Sequence, residues 1–231
     1  MSLIAEGVIE ALRLLLTGDP EVWQITILSL QISGSATLVS LLVGIPLGSL
    51  LALARFPGRG VAMSLVNTGM GLPPVVVGLF VTILLWRSGV LGFLEILYTP
   101  WAMVLAQFVI AAPVVTGLTL AAVQQVPDKF RLQLLALGAS RAQMVRVLLM
   151  EARLPMLAAV MAGFGAVISE VGASLMVGGN IRGSTRVLTT ATVLETGKGN
   201  FDVAIALSVI LLLITFLVNW ALTWIQQRAR P

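Results

Sequence analysis

Five stretches of this chain contain almost no Asp, Glu, Lys or Arg, and nothing else in the sequence constrains its fold as strongly. Residues 22–54 form a run of 33 without any such residue, 61–86 a run of 26, 96–127 a run of 32 and 203–227 a run of 25. Residues 154–169 add 16 more before a lone Glu170, after which small and apolar residues continue to Ile181. A bilayer core of ~30 Å is crossed by about 20 residues of helix. The runs therefore predict spans at 24–54, 61–86, 99–124, 154–177 and 203–225. Only 10% of the 231 residues are charged and 58% are hydrophobic, whereas soluble domains carry about 25% charge. In lipid the backbone satisfies its own polar groups, so these spans are helices and the chain is an all-α integral membrane protein. His and Cys are absent, which excludes a disulfide scaffold, a His/Cys metal site and a Cys- or His-based catalytic centre.

The whole chain, 1–231, reads as one transmembrane domain. Its first span is long enough to tilt or project past the lipid, and Gly34, Gly44, Pro46 and Gly48 interrupt it. Such residues mark close helix contacts or a kink, or reflect how common Gly is in membrane helices. Residues 2–16 are too short to span. Leu3, Ile4, Val8, Leu12 and Leu15 recur there at helical spacing, with Glu6, Glu10 and Arg13 between them. That pattern predicts an amphipathic helix at the membrane interface. With no basic leader and no small-residue cleavage site, it does not read as a removable signal peptide. A sixth span over 2–16, short or tilted, is the open topological point.

Five spans put the termini on opposite faces. One face then holds nine basic residues: Arg55, Arg59, Lys129, Arg131, Arg141, Arg146, Arg153, Arg228 and Arg230. The other holds five: Arg13, Arg87, Arg182, Arg186 and Lys198. The positive-inside rule assigns the first face to the cytoplasm. The net charge of +4 is thus a matter of topology and gives no nucleic-acid signal.

The longest cytoplasmic segment is 125–153. Pro127 stops the third span, and Asp128 is placed to cap the helix that follows. Leu134, Leu137, Ala142, Val145, Leu148 and Leu149 recur near helical spacing, punctuated by Arg141 and Arg146. Gly138 would cost ~1 kcal/mol inside a continuous helix, so two short helices meeting at an angle are predicted. Such a pair suits docking to a cytoplasmic protein, and equally suits an amphipathic connector resting on lipid headgroups.

The segment Leu137-Gly138-Ala139-Ser140, followed by a helix ending in Arg153-Leu154-Pro155, resembles the coupling-loop motif of membrane subunits of bacterial ABC importers. Leu132-Gln133-Leu134 stands where the motif usually opens with Glu-Ala-Ala, and the Leu-Pro ending lies about one helical turn late. A second resemblance covers nearly the whole chain. Pro73-Pro74-Val75-Val76-Val77-Gly78, Ser169-Glu170-Val171-Gly172-Ala173, Gly178-Gly179-Asn180-Ile181-Arg182-Gly183 and Leu194-Glu195-Thr196-Gly197-Lys198-Gly199 together resemble the permeases of tungstate ABC importers, relatives of molybdate and sulfate permeases. The resemblance implies a type I ABC importer transmembrane domain in the bacterial inner membrane. Two copies would form one pathway as a homodimer, each docked on a cytoplasmic ABC ATPase through Leu137, Gly138, Ala139, Ser140, Arg141 and Arg146. An extracytoplasmic oxyanion-binding protein would deliver the ion. ATP and Mg would then belong to the partner ATPase, leaving this chain with no cofactor and no catalytic residue. It carries no Gly-x-x-x-x-Gly-Lys-Ser/Thr loop to cradle phosphate. An importer of another solute, a secondary transporter and a membrane scaffold are the competing classes.

Glu170, Gly172 and Asn180 are candidates for a gate or a structural network. A carboxylate at the end of a charge-free run must be paired, protonated or set in a watery cavity. Its negative charge argues against holding an oxyanion. Arg182 and Arg186 are candidates for steering a dianion or gripping the binding protein outside, and equally for ordinary loop solubility. Ser184, Thr185, Thr189, Thr190 and Thr192 offer hydroxyls nearby, and Glu195 with Lys198 suggests a local ion pair. Asn67, Gly69, Gly71, Pro73 and Pro74 break the second span, either to open the backbone towards a cavity, where helix N-termini would offer amides to an anion, or as a simple kink. The five Trp residues lie near span ends, as expected of an interfacial belt.

Overall fold

The computed structural model describes residues 3–228, and every regular element among them is helical. In chain order these are α1 (Leu3–Thr17), α2 (Pro20–Leu53), α3 (Arg59–Met70), α4 (Pro74–Leu85), α5 (Pro100–Gln124), α6 (Asp128–Ala136), α7 (Arg141–Glu151), α8 (Arg153–Ile168), α9 (Gly172–Gly178), α10 (Leu188–Gly197) and α11 (Phe201–Arg228). Among them α2, α5 and α11 are each long and apolar enough to cross a membrane unaided, and the number reaches five when bent pairs count as single spans. At 1.5 Å per residue, the 34 residues of α2 extend about 51 Å, well beyond the hydrocarbon.

Two predicted spans are not single helices. The run 61–86 is split into α3 and α4, which meet at 103°. Gly71 ends α3, and Pro73, lacking an N–H, sits in extended conformation before Pro74. The residue before a proline is kept out of the helical region, which makes the corner. The run 154–177 ends its helix at Ile168 and resumes only at Gly172 as the seven-residue α9. On its cytoplasmic side α8 instead continues into α7 across a 69° bend.

α2 and α5 form the central pair, and their closeness depends on small residues. A Cβ on Gly44 would lie 2.7 Å from Val115, and one on Gly48 would lie 2.5 Å from the Thr116 carbonyl. Gly34 faces open space, so only part of the glycine pattern in this span serves packing. α4 and α9, the segments that follow the two breaks, lie against each other: a Cβ on Gly78 would come within 2.7 Å of the Ala173 backbone. With Ile32, Met103, Ala106 and Ile110 from α2 and α5, their Val77, Val81 and Val177 make the main apolar core.

The amphipathic helix predicted over 2–16 is α1; Ser2 lies outside the described residues. Its 15 residues reach about 22 Å, short of a full crossing. It rests on the first turns of α11, where Gly7 meets Ile205 and the Asp202 carbonyl, and Ala11 joins a cluster with Ala206, Leu207 and Ile210. It therefore adds no sixth full-length crossing.

The grouping of charges by face has a structural counterpart. At the arginine-rich end, Arg59 Nε donates to the Leu51 carbonyl (2.7 Å) and Arg131 to that of Leu53 (3.4 Å). Gln226 donates to Leu154 (3.2 Å). The first two cap carbonyls that a helix C-terminus leaves without partners. At the opposite end Gln24 donates to Gly183 (3.1 Å), and the Tyr98 amide to Val177 (2.9 Å). Arg230 lies outside the described residues.

Candidate functional site

The α6–α7 hairpin is built by a glycine turn and a capping box. Leu137 ends α6, and Gly138 takes φ +79. The Gly138 amide then donates to Leu135 and the Ala139 amide to Leu134, each at 3.0 Å. That pairing is a Schellman ending, which glycine adopts without a Cβ clash. Ser140 starts α7: its Oγ accepts from the Gln143 amide (3.3 Å), while Gln143 Oε1 accepts from the Ser140 amide (2.8 Å). The expected pair of short helices is present. Asp128, by contrast, is the first residue of α6 rather than its cap, because Pro127 holds that position in extended conformation. Leu137, at 83% exposure, stands at the tip. Gly138, Ser140, Arg141 and Arg146 are also exposed, whereas Met144 and Leu148 anchor α7 inward. A large apolar side chain thus stands out on this turn, with two exposed arginines following it in α7.

The second constellation surrounds the break between α8 and α9. Glu170 is buried, and its Oε1 accepts from the Ala173 amide at 2.8 Å. Its carboxylate satisfies one of the N-terminal amides of α9 that have no partner within the helix. The Thr189 hydroxyl donates to the Glu170 carbonyl (2.9 Å), tying the break to α10. Gly172 is squeezed against α4, where a Cβ would meet Val75 at 2.7 Å. Asn180, at φ 51, donates to the Thr190 carbonyl (3.4 Å), and its own Oδ1 is buried without a partner among the described residues. All three residues of the predicted gate or network thus lie around α9, fixing it to α4 and α10.

Sequence reasoning missed Gln107. It lies mid-way along α5, buried, and donates to Ser174 of α9 at 3.3 Å. A search keyed to formal charges passes over a neutral amide. Yet a buried amide in a membrane helix is itself a signal, because it needs a partner across helices.

The third constellation joins the segment after α9 to the first turn of α2. Both Arg182 and Arg186 converge on Glu21 of α2. Arg182 donates through two nitrogens, Nε at 2.8 Å, and Arg186 approaches to 3.5 Å. The hydrogen bond to Glu21, followed by its charge, holds the Arg182 proton more tightly than usual. Glu21 was not among the candidates: a first-turn acid 161 residues away gives no local hint. Three of the hydroxyls noted nearby in the sequence bond within the fold. Thr185 donates to Gly178, Thr190 to Val187 and Thr192 to Leu188, so these hydroxyls brace the fold. The first turn of α4 likewise spends the Val76 and Val77 amides on the Pro73 carbonyl. Glu195 does bond Lys198 (2.7 Å) and also Asn200 (2.7 Å). Those bonds, together with the Lys198 and Arg186 charges, outweigh desolvation and lower its pKa.

Three long apolar helices, two bent helix pairs and the α6–α7 hairpin make up the membrane domain. The family described as "Binding-protein-dependent transport system inner membrane component" matches residues 44–231. This chain belongs to that family. Among curated relatives, the probable anion ABC transporter permease protein of Haloferax volcanii is 43% identical over 84% of this chain and 86% of its own length. The tungstate uptake system permease protein TupB of Peptoclostridium acidaminophilum is 37% identical over 98% of this chain and 100% of its own. The molybdenum transport system permease protein ModB of Escherichia coli is 31% identical over 91% and 97%. A solved structure of the MetNI methionine ABC transporter, described as inward facing, superposes with a TM-score of 0.75 over 92% of this chain and 99% of that one, at 22% identity. The permease is therefore a multi-pass inner-membrane protein with the type I ABC importer transmembrane fold. It serves a transport system that depends on a binding protein.

Proposed function

We propose that this permease translocates tungstate inward, as the membrane subunit of an ATP-driven importer. The observation that carries the substrate is end-to-end similarity to a tungstate uptake permease, 37% identical across 98% of this chain. Two copies form the pathway, each seated on a cytoplasmic ATPase that holds ATP and Mg, while this chain binds no cofactor. The exposed tip Leu137-Gly138-Ala139-Ser140, backed by Arg141 and Arg146, is the ATPase contact. Its Schellman turn and capping box support that role, since both fix the tip's direction relative to α5 and α8. Glu170, Gly172 and Asn180 act as a structural network holding α9 across the break, consistent with a carboxylate that bonds an amide rather than facing a pathway. Arg182 and Arg186, gathered by Glu21, form the outer contact for the oxyanion-binding protein. Molybdate is the second reading, supported by the 31% identity to a molybdenum permease. Tungstate and molybdate are both tetrahedral dianions, so the same route serves either.

The test is uptake into proteoliposomes containing this chain and its co-encoded ATPase, with binding protein supplied outside and loaded in turn with tungstate, molybdate or sulfate. ATP-dependent retention led by tungstate is expected. A complex that is folded and ATPase-bound but retains none of the three ions would reject the oxyanion reading.

A further inference from the structure

A cavity of about 910 Å³ opens at the arginine-rich end between α2 and the cytoplasmic hairpin. Its walls include Ile45 and Leu50 of α2 and Val145 of α7, and its charged lining is Arg55, Arg131 and Arg141, with no carboxylate. Arg131 also lines a smaller adjacent cavity, which it shares with Asp128. None of the three arginines makes an ion pair among the described residues. The α2 wall continues a face that points away from the protein: Leu42 is 75% exposed and Leu38 63%. At 100° per residue, Leu38, Leu42, Ile45 and Leu53 share one stripe of the helix. The opposite stripe, with Ala36, Ser40, Gly44 and Gly48, is the buried one that meets α5. An apolar groove thus descends along α2 and ends at three guanidiniums that make no ion pair among the described residues.

We infer that this cavity binds an anionic phospholipid of the cytoplasmic leaflet, with its phosphate between Arg55 and Arg131 and an acyl chain along the Leu38–Leu42 face of α2. Charge and shape both select that occupant. Basic pockets between membrane helices on the cytoplasmic side suit acidic headgroups, and guanidinium matches phosphate with paired donors. The apolar wall excludes a freely hydrated ion as the complete ligand. The bound lipid sits behind the hairpin tip, so it would also brace α7 against α2.

The inference is tested by titrating a fluorescent phosphatidylglycerol onto the full chain purified in detergent. Saturable binding is expected, with unlabelled phosphatidylglycerol competing and phosphatidylcholine failing to compete. An arginine near an anionic lipid surface contributes about fivefold in affinity, so R55Q combined with R131Q should weaken binding about 25-fold. Arg87→Gln, at the opposite end of the molecule, should leave it unchanged. Leu50→Trp fills the cavity without touching a charge and should also abolish binding, which keeps the test decisive if the double variant misfolds. Equal competition by phosphatidylcholine would overturn the inference as nonspecific partitioning. Displacement by inorganic phosphate alone would make it a free-anion site. Displacement by the purified ATPase would make this face part of the subunit interface.

Discussion

Replacing Glu170 separates the contribution of its hydrogen bond from that of its charge. The carboxylate accepts the Ala173 amide at 2.8 Å, and Ala173 is completely buried. In Glu170→Leu that amide loses the side-chain partner it has among the described residues, in a buried position, at a cost of ~1–3 kcal/mol. Glu170→Gln keeps an acceptor in the same place. It gives up only the difference between a charged and a neutral hydrogen bond, about 1 kcal/mol. The Thr189 bond ends on the Glu170 main-chain carbonyl and is available to both variants. The leucine variant should therefore loosen α9 against α4 and α10, lower the melting temperature in detergent and reduce tungstate uptake. The glutamine variant should transport and melt close to the parent. Two assays on the same preparations decide it: thermal unfolding and ATP-dependent uptake. If Gln and Leu both abolish uptake while both melt like the parent, the charge itself is required and the structural account of Glu170 is wrong.

Gly78→Ala should destabilise the permease by ~1–3 kcal/mol, because the new Cβ lies 2.7 Å from the Ala173 backbone; Gly34→Ala, with open space around it, should be neutral or stabilising by up to ~1 kcal/mol. Paired thermal melts test that contrast. Charge reversal at Arg141 or Arg146 should weaken co-purification with the ATPase while leaving membrane insertion intact, and unchanged co-purification would count against the docking tip. Glu195 has its pKa lowered in the folded protein, chiefly by Lys198 and Asn200. Its contribution to stability is thus fully present above the ordinary carboxylate value of about 4.3 and is lost as pH falls through the lower folded value. Melting curves from pH 6 down to pH 3 should show less acid sensitivity in Glu195→Gln than in the parent.

The sequence by itself determined what depends on local composition. Charge-free runs located the membrane segments, because a buried charge is too costly to hide in lipid. The basic residues grouped themselves by face, and Gly138 between two apolar helical patterns announced the hairpin. Gly71, Pro73 and Pro74 marked a break, since their backbone limits act on near neighbours. The 103° angle at that break was not legible, because it is set by α4 packing on α9, a segment almost a hundred residues later. The same distance hid the functional constellations. Glu170 reaches only three residues ahead, yet Gln107 meets Ser174 across 67 positions and Arg182 meets Glu21 across 161. A side chain's type states what bond it needs, whereas only the tertiary structure, by bringing helices from opposite ends of the chain into contact, decides which partner supplies it.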